Sequence, residues 1–411
     1  MQQITVTRAD FSRAVAIAGR TIERRNFAQV LSCLRLRASG DGLTISGTDM
    51  DNQIDYTVPG HGGGLPEDGI AIRDFRHIVR AAGAVGAESI EIGYDEASRT
   101  SLTANMGRLS FCGVAFPGND FPTTLDTAER VAPIWSGTLT SEFLDALERV
   151  QPAISTEETH FYLNGVYFEK DADGGPWAFN LVATDGHRLH RATVQIPDAA
   201  GKIDATGGII IPRKLVSLLL GMRPKKDGPA ISMAIHPKYK PNDETATETL
   251  TESAVASVIR FKANGAVITG KHIDGTFPDY RRVIPSGHKL FATFNRAEML
   301  RALGAMAALG GEKSCALKMD FAIGRVNLSR KWVDGSAEFP HVLCEVDGMD
   351  VMQTFPVAFN AHYLTAALNQ FGTAEKVTMA WPDLGNASTS PCVIGSNEST
   401  GLDVTLMPMR V

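Results

Sequence analysis

Apolar and polar residues alternate in three short stretches of the chain, and each stretch then changes to the spacing of an amphipathic helix. The stretches are ITVTRADF, GTLTSEFL and FATFNRAEML, at residues 4–11, 137–144 and 291–300. A Thr, Ser or Asn at each junction has the short polar side chain that suits a helix N-cap. Each stretch therefore predicts a strand that leads directly into a helix.

A second set of three stretches repeats this pattern further along each third of the chain. A short apolar strand runs into an amphipathic helix at residues 70–78, 209–216 and 356–364. Between the helices lie turn signals such as Asn264-Gly265, which favours a two-residue hairpin. The pattern predicts six strand-to-helix units separated by antiparallel strands, with two units in each third.

This repetition predicts an α+β fold of three similar domains, each with two helices on one face of antiparallel sheets. Polar, turn-rich stretches near Ala132 and Ser286 mark the breaks. We therefore expect domains at residues 1–132, 133–286 and 287–411, named below the first, middle and last repeat. A length of 411 residues agrees, because one hydrophobic core rarely serves so long a chain.

Composition narrows the class of protein. Hydrophobic residues make up 44% and charged residues 21%, as in ordinary globular proteins. The longest apolar stretches, such as residues 215–220, are far shorter than the roughly 20 residues of a membrane-spanning helix. No secretory signal is visible in the first residues, and the five cysteines include no CxxC pair. We expect a cytoplasmic protein with no membrane anchor, no metal and no cofactor.

The charge distribution limits how the chain can meet nucleic acid. A net charge of −6 argues against binding over the whole surface, because that affinity comes from Lys and Arg at phosphates. Positive charge is nevertheless concentrated at residues 8–25 and 213–226, and acidic residues at 243–252. This separation predicts one basic face and one acidic face.

Enzymatic interpretations find little support. Asp185 and His187 could supply two members of a hydrolase triad, but no G-x-S-x-G motif presents a nucleophile. His187 and His190 have metal-ligand spacing without a third ligand nearby. The segment at residues 265–272 is close to a phosphate-binding loop, but His272 stands where Ser or Thr would hold magnesium.

Five motifs carry a resemblance to a known family. They are YLNG at 162–165, ATDGHRL at 183–189, PRK at 212–214, DGTFPDYRRVIP at 274–285 and MPMR at 407–410. In this order and spacing they resemble the beta sliding clamp, the beta subunit of bacterial DNA polymerase III. SGTDMD at 46–51, Arg25 and FPGNDFP at 116–122 extend the resemblance through the first repeat, so it covers essentially the whole chain.

The resemblance implies a non-catalytic processivity factor of DNA replication. Two chains would join head to tail as a ring-shaped homodimer around double-stranded DNA, with sheets outside and helices inside. The ring would tether the polymerase III alpha subunit, the clamp loader and other proteins that carry a clamp-binding motif. The alternatives left open are another kind of DNA-binding regulator, which would need a recognition element not found here, and the hydrolase that uses Asp185 and His187.

The resemblance also implies site residues. A peptide-binding cleft would comprise Thr184, Gly186, His187, Arg188, Leu189, Pro278, Arg282, Val283, Thr405, Leu406, Met407, Pro408, Met409 and Arg410. DNA contacts would be Arg25, Arg73, Phe161, Tyr162, Arg213 and Lys214, and the dimer interface would place Leu109 and Phe111 against Ala308 and Leu309. Two departures from the family pattern, Gln29-Val30-Leu31 and His160, leave partner preference open.

Overall fold

The structure is a computed structural model. It describes residues 3–23, 28–40, 42–63, 65–95, 101–122, 125, 132–203, 208–224, 230–237, 256–263, 265–309, 316–332, 335–350, 353–399 and 401–410. The α-helices are α1 (Arg8–Ala18), α2 (Phe75–Ala84), α3 (Ser141–Val150), α4 (Arg213–Leu220), α5 (Arg296–Ala308) and α6 (Ala361–Asn369). The strands are β1 (Gln3–Thr7), β2 (Leu34–Ser39), β3 (Gly42–Thr48), β4 (Asn52–Pro59), β5 (Ile70–Ile72), β6 (Ser89–Asp95), β7 (Ser101–Met106), β8 (Leu109–Pro117), β9 (Trp135–Leu139), β10 (Gly165–Lys170), β11 (Ala178–Thr184), β12 (Arg188–Gln195), β13 (Ala200–Gly201), β14 (Gly208–Pro212), β15 (Ile231–Pro237), β16 (Ala256–Ala263), β17 (Ala266–Lys271), β18 (Leu290–Asn295), β19 (Ala316–Ala322), β20 (Gly324–Trp332), β21 (Gly335–Asp347), β22 (Thr354–Asn360), β23 (Lys376–Trp381), β24 (Cys392–Gly395) and β25 (Leu402–Leu406).

All six predicted strand-to-helix units are present. They are β1–α1, β5–α2, β9–α3, β14–α4, β18–α5 and β22–α6. Two predicted N-caps are confirmed: the Thr7 hydroxyl accepts from the Asp10 amide at 3.1 Å, and the Asn295 side chain accepts from the Glu298 amide at 3.0 Å. These caps satisfy amides that the first turn of a helix leaves without a backbone partner.

The chain forms two compact units. Unit 1 consists of Met1–Ser141 with Ile196–His272, and unit 2 of Glu142–Gln195 with Ile273–Val411. Each unit thus takes one end repeat together with part of the middle repeat. The physical cause is strand pairing, because in each unit a strand of the middle repeat continues the sheet of an end repeat.

In unit 1 the strands follow the order β1-β6-β7-β8-β5-β2-β3-β4-β17-β16-β15-β9-β13. Antiparallel pairing of β4 with β17 places Asn52 opposite Gly270 and joins the first repeat to the middle repeat. β17 pairs with β16 on its other side, so residues 266–271 are a central strand. This placement agrees with the rejection of a phosphate-binding loop there. Helix α1 packs against β3, β4 and α2, and α4 against β17.

In unit 2 the strands follow the order β10-β11-β12-β25-β24-β23-β18-β21-β20-β19-β22. Antiparallel pairing of β12 with β25 places Arg188 opposite Leu406 and joins the middle repeat to the last repeat. Helices α5 and α6 pack on each other and on this sheet. Trp381, Phe321 and Phe355 pack ring to ring in the core, with centroids 4.8–5.5 Å apart.

Candidate functional site

The turn between β11 and β12, residues 184–188, is held by its own side chains. The Thr184 hydroxyl donates to the Arg188 carbonyl at 2.7 Å and accepts from the Gly186 amide at 3.1 Å. One Asp185 carboxylate oxygen accepts from the His187 and Arg188 amides, both at 3.0 Å. Gly186 has φ +85°, a left-handed conformation that glycine adopts without steric cost. The turn therefore presents His187 and Arg188 from a fixed frame.

The side chains of His187 and Arg188 meet Tyr363 in the first turn of α6. The His187 and Tyr363 rings are stacked with centroids 6.0 Å apart, and the Arg188 guanidinium carbon lies 4.5 Å from the centre of the Tyr363 ring. Arg188 stays there because its Nε donates to the Asp185 carboxylate at 3.0 Å and its Nη2 donates to the Pro152 carbonyl. The arrangement offers a rigid cation and two rings to a ligand.

Tyr363 is a candidate site residue that the sequence did not indicate. Its stretch was recognised only as the start of a helix, and nothing in the pattern showed that this helix would lie beside the turn at 184–188. The pairing of β12 with β25 brings the two segments together, because it joins the middle repeat to the last repeat. No spacing within the sequence encodes that contact.

The end of the chain forms another side of this site. After β25, the Met407 amide donates to the His187 carbonyl at 2.9 Å, and the Met409 amide donates to the Ala358 carbonyl at 2.7 Å. Met407 and Met409 remain 38% and 36% exposed despite this backbone anchoring. An apolar side chain that is held in place yet open to solvent suits contact with a ligand, because methionine repacks easily around different shapes.

The predicted cleft residues divide into exposed and buried members. Leu189, Thr405 and Leu406 are buried in the paired strands, so they support the site from beneath. The exposed or half-buried members that can touch a ligand are Thr184, Gly186, His187, Arg188, Pro278, Arg282, Val283, Met407, Pro408, Met409 and Arg410.

The segment that contains Pro278, Arg282 and Val283 is anchored to β10. The Tyr280 hydroxyl and the Arg281 guanidinium both donate to one oxygen of Glu169, each at 2.6 Å. Burial, reinforced by the Glu169 carboxylate, raises the pKa of Tyr280 above its ordinary value, so the hydroxyl stays a donor. These bonds hold the backbone while leaving Arg282 exposed, and its Nε donates to the Asp279 carboxylate at 2.9 Å.

His190 lies on β12 two residues beyond the turn, and it is fully buried. Its Nδ1 lies 2.9 Å from the Arg149 carbonyl, and burial lowers the pKa of the imidazole to about 4. The ring is therefore neutral at physiological pH. Of the two His proposed at metal-ligand spacing, His190 is committed to the core and His187 to the Tyr363 stack.

The predicted DNA contacts lie at several places. Arg73, between β5 and α2, and Arg213, the first residue of α4, are exposed in unit 1. In unit 2, Phe161 is 51% exposed and packs edge-on against Tyr162 with centroids 5.7 Å apart. Arg25 lies outside the described residues. Exposed arginines and rings of this kind can meet a phosphate backbone and base faces.

Lys214 behaves differently from the other predicted contacts. Its ammonium lies 2.9 Å from Glu23 and 2.5 Å from Asp49, so it is engaged by two carboxylates. The hypothesis that Lys214 meets phosphate therefore has less support than the same hypothesis for Arg213.

Unit 1 also carries basic residues that sequence analysis did not select. Arg20, Arg76 and Arg80 line a groove of about 500 Å³ beside residues of α1 and α2. Arg76 and Arg80 stand one helical turn apart and are exposed. The signal was present in RDFRHIVR at 73–80, where Arg recurs at positions 73, 76 and 80, but only Arg73 was chosen.

Comparison with known proteins identifies the family. Models of the N-terminal, central and C-terminal domains of the DNA polymerase III beta subunit match residues 2–126, 139–279 and 281–410. The chain belongs to the beta sliding clamp family. The beta sliding clamp of Caulobacter vibrioides is 29% identical to it over 418 residues, covering 100% of both chains.

Solved structures agree with this assignment. A sliding clamp (DNA polymerase III subunit beta) from Bartonella birtlesii bound to griselimycin has a TM-score of 0.83 with 27% identity, covering 100% of both chains. The sliding clamp of Caulobacter crescentus gives 0.81 with 27% identity at the same coverage. The predicted family, the α+β clamp fold and the role as a DNA sliding clamp for polymerase III are confirmed. As a member of a non-catalytic family, the clamp is not an enzyme.

The residues predicted at the dimer interface lie at a strand edge and a helix end. Residues 109–114 of β8 pair with β7 only, within the described strands, and Leu109 is exposed while Phe111 is half-buried. Helix α5 ends at Ala308, and the following Leu309 is 53% exposed. An unpaired strand edge with apolar neighbours is a surface that proteins usually cover.

Among the described residues, no group of three or more His, Cys, Asp or Glu side chains is arranged to hold a metal ion. None of the helices in the described ranges is long and apolar enough to cross a membrane.

Proposed function

We propose that the surface formed by His187, Arg188, Tyr363, Met407 and Met409 binds an extended peptide from partner proteins. The observation that carries the proposal is the fixed Arg188–Tyr363 pair beside two anchored but exposed methionines. A peptide's apolar side chains would pack against the methionines, while Arg188 and His187 would orient its polar groups. The polymerase III alpha subunit, the clamp loader and other motif-bearing proteins would share this site in turn.

We further propose that two copies join head to tail and encircle double-stranded DNA. Arg25, Arg73 and Arg213, with Phe161 and Tyr162, would contact the backbone loosely, and Arg76 and Arg80 extend this set. A closed ring keeps its DNA by topology, so weak phosphate contacts suffice and still permit sliding. Tethering raises the effective concentration of the polymerase at the primer end. We expect these events in the cytoplasm.

The dimer proposal places Leu109 and Phe111 of one copy against Ala308 and Leu309 of the other. Its support is the open edge of β8 together with the exposed Leu309. We also propose that the domain boundaries lie near residues 132 and 286. The ends of the three family models, which lie close to these positions, support this division.

The peptide site is tested by deleting residues 407–411 and, separately, by replacing Met407 and Met409 with Ala. Calorimetry with a synthetic peptide bearing the clamp-binding motif of an alpha subunit should show loss of binding for the deletion and a fall of about tenfold or more for the double variant. Met50→Ala, which removes an exposed methionine of unit 1, is the matched control. Unchanged affinity in the deletion variant would refute the assignment.

The ring is tested by replacing Leu109 and Phe111 with Asp. Sedimentation should then show monomers, because two charges would be buried without partners. The unaltered clamp, loaded on nicked circular DNA, should be lost after the circle is cut. A dimer that survives the double substitution rejects this interface, and retention on linear DNA rejects encirclement.

A further inference from the structure

Helix α4 of the middle repeat is held at its N-terminal end by the first repeat. Lys214, in the first turn, places its ammonium 2.9 Å from the Glu23 carboxylate, 2.5 Å from the Asp49 carboxylate and 3.5 Å from the Thr21 carbonyl. The Asp49 side chain is only 7% exposed. An ion pair with a buried partner is screened much less by salt than a surface pair. This contact therefore joins the two repeats within unit 1.

The C-terminal end of α4 is held by a cation of the first repeat. Arg20 lies just after the end of α1, and its Nη1 donates to the carbonyl of Gly221 at 2.5 Å. Gly221 is the C-cap of α4. Carbonyls at a helix C-terminus carry partial negative charge and favour a cation. A Cβ at residue 221 would collide with this guanidinium, so glycine permits the approach.

The charge around Lys214 argues against a role at phosphate. The ammonium is matched by two carboxylates, so the cluster of Lys214, Glu23 and Asp49 has a net charge of −1. Burial alone would lower the pKa of Lys214, but hydrogen bonds to Asp49 and Glu23 raise it above its ordinary value, so the lysine stays charged. A phosphate placed here would have to displace carboxylates that already satisfy the cation. Arg213, one residue earlier, is exposed.

We propose that Lys214 and Arg20 form a brace, one cation at each end of α4, that fixes the middle repeat against the first repeat. Lys214 is then a positioning residue of the clamp and not a DNA contact. Lys214 would affect DNA binding indirectly, because it fixes the position of α4 and therefore of Arg213, the first residue of that helix. The effect on DNA binding rests on the proposed DNA interface, whereas the brace rests only on the contacts of Lys214 and Arg20 described above.

The experiment compares Lys214→Met with the adjacent Arg213→Gln. Binding to a fluorescently labelled primed-template oligonucleotide is measured by anisotropy at several salt concentrations, and thermal unfolding is followed in parallel. Loss of a phosphate contact lowers the slope of log affinity against log salt by about one. We expect that change for Arg213→Gln with its Tm unaltered. For Lys214→Met we expect an unchanged slope and a Tm lower by about 3–6 °C, because Asp49 loses its partner.

Hydrogen exchange and two further variants complete the test. Lys214→Met and Arg20→Met should each speed amide exchange in α4, whereas Lys214→Arg, which can pair with both carboxylates, should restore most of the Tm. If Lys214→Met does not fold, Glu23→Gln removes the more exposed carboxylate and should still speed α4 exchange. A lower salt slope for Lys214→Met with unchanged Tm and exchange would overturn the brace. If neither Arg213→Gln nor Arg73→Gln changes the slope while Lys214→Met lowers the Tm, the brace stands and the DNA interface fails.

Discussion

Two turns at equivalent positions, residues 48–52 in unit 1 and residues 184–188 in unit 2, have the same internal hydrogen bonds. Thr48, like Thr184, donates to the carbonyl four residues on and accepts from the amide two residues on. Asp49, like Asp185, accepts from the amides two and three residues on. The repeat that the sequence suggested is thus preserved in individual hydrogen bonds.

The strands that follow are equivalent as well. Asn52 pairs with Gly270 in unit 1, and Arg188 pairs with Leu406 in unit 2. The residue after each pair makes the same backbone bond at 2.9 Å: the Lys271 amide donates to the Asp51 carbonyl, and the Met407 amide donates to the His187 carbonyl. Any functional difference between the two turns must therefore come from side chains, because the backbone frame is shared.

The side chains around the first turn fill the space beside it. Leu215, third residue of α4, is fully buried and packs where Gly270 has no side chain, since a Cβ there would lie 2.8 Å from a Leu215 methyl carbon. In unit 2, Tyr363 is the third residue of α6, the position of Leu215 in α4, and it is half-buried. Leu406 stands at the position of Gly270, paired with Arg188. One frame thus gives a packed junction in unit 1 and an accessible site in unit 2.

The largest expected contrast is between Leu215→Ala and Tyr363→Ala. Leu215→Ala should lower the free energy of unfolding by about 2–5 kcal/mol, because it leaves a cavity in a packed junction. Tyr363→Ala should cost under about 1 kcal/mol of stability and yet weaken the alpha-subunit peptide by about tenfold or more. Urea unfolding and calorimetry measure the two effects. Equal losses of stability in the two variants would contradict the contrast between a packed junction in unit 1 and an open site in unit 2.

A second contrast concerns acid sensitivity. His190 in unit 2 occupies the position of Ile54 in unit 1, two residues beyond each turn. Burial lowers the pKa of His190 to about 4, below the ordinary value of 6.5, so the unfolded chain binds a proton more readily than the folded one. The associated stability is complete above pH 6.5 and is lost as the pH falls toward 4.

Between pH 7.5 and pH 5 this group should therefore cost about 2 kcal/mol of the free energy of unfolding. His190→Ile, which copies the residue of unit 1, should remove that part of the pH dependence. Urea midpoints of both proteins at the two pH values measure it. The prediction fails if the variant loses as much stability on acidification as the unaltered clamp.

The smallest contrast lies at the third residue of each turn. Met50 has φ +77°, a left-handed conformation that disfavours a side chain, whereas Gly186 has φ +85°. Gly186→Ala should lose about 1 kcal/mol, a backbone effect, since nothing lies within 4 Å of the added Cβ. Met50→Gly should change stability by only about 0.5–1 kcal/mol, in the stabilising direction. A destabilised Met50→Gly would mean that the methionine makes packing contacts that outweigh the strain.

The local elements of the fold could be predicted, and the composition of the site only in part. The caps at Thr7 and Asn295 could be predicted because a cap depends on only a few neighbouring residues. His187, Arg188 and Met407 were proposed as cleft residues from short motifs. The sequence did not indicate Tyr363, because its position beside His187 depends on a tertiary contact. The sequence likewise shows the charge of Lys214 but not the two remote carboxylates beside it.

By itself the sequence determined the threefold repetition of strand and helix, since hydrophobic periodicity and capping act over a few residues. Tertiary structure alone decided which turn is packed and which is open, and that Lys214 is paired with two carboxylates. Those outcomes depend on side chains brought together by β4–β17 and β12–β25 pairing, across separations of more than 200 residues. Burial and charge at such junctions are properties of the assembled neighbours and of no single segment.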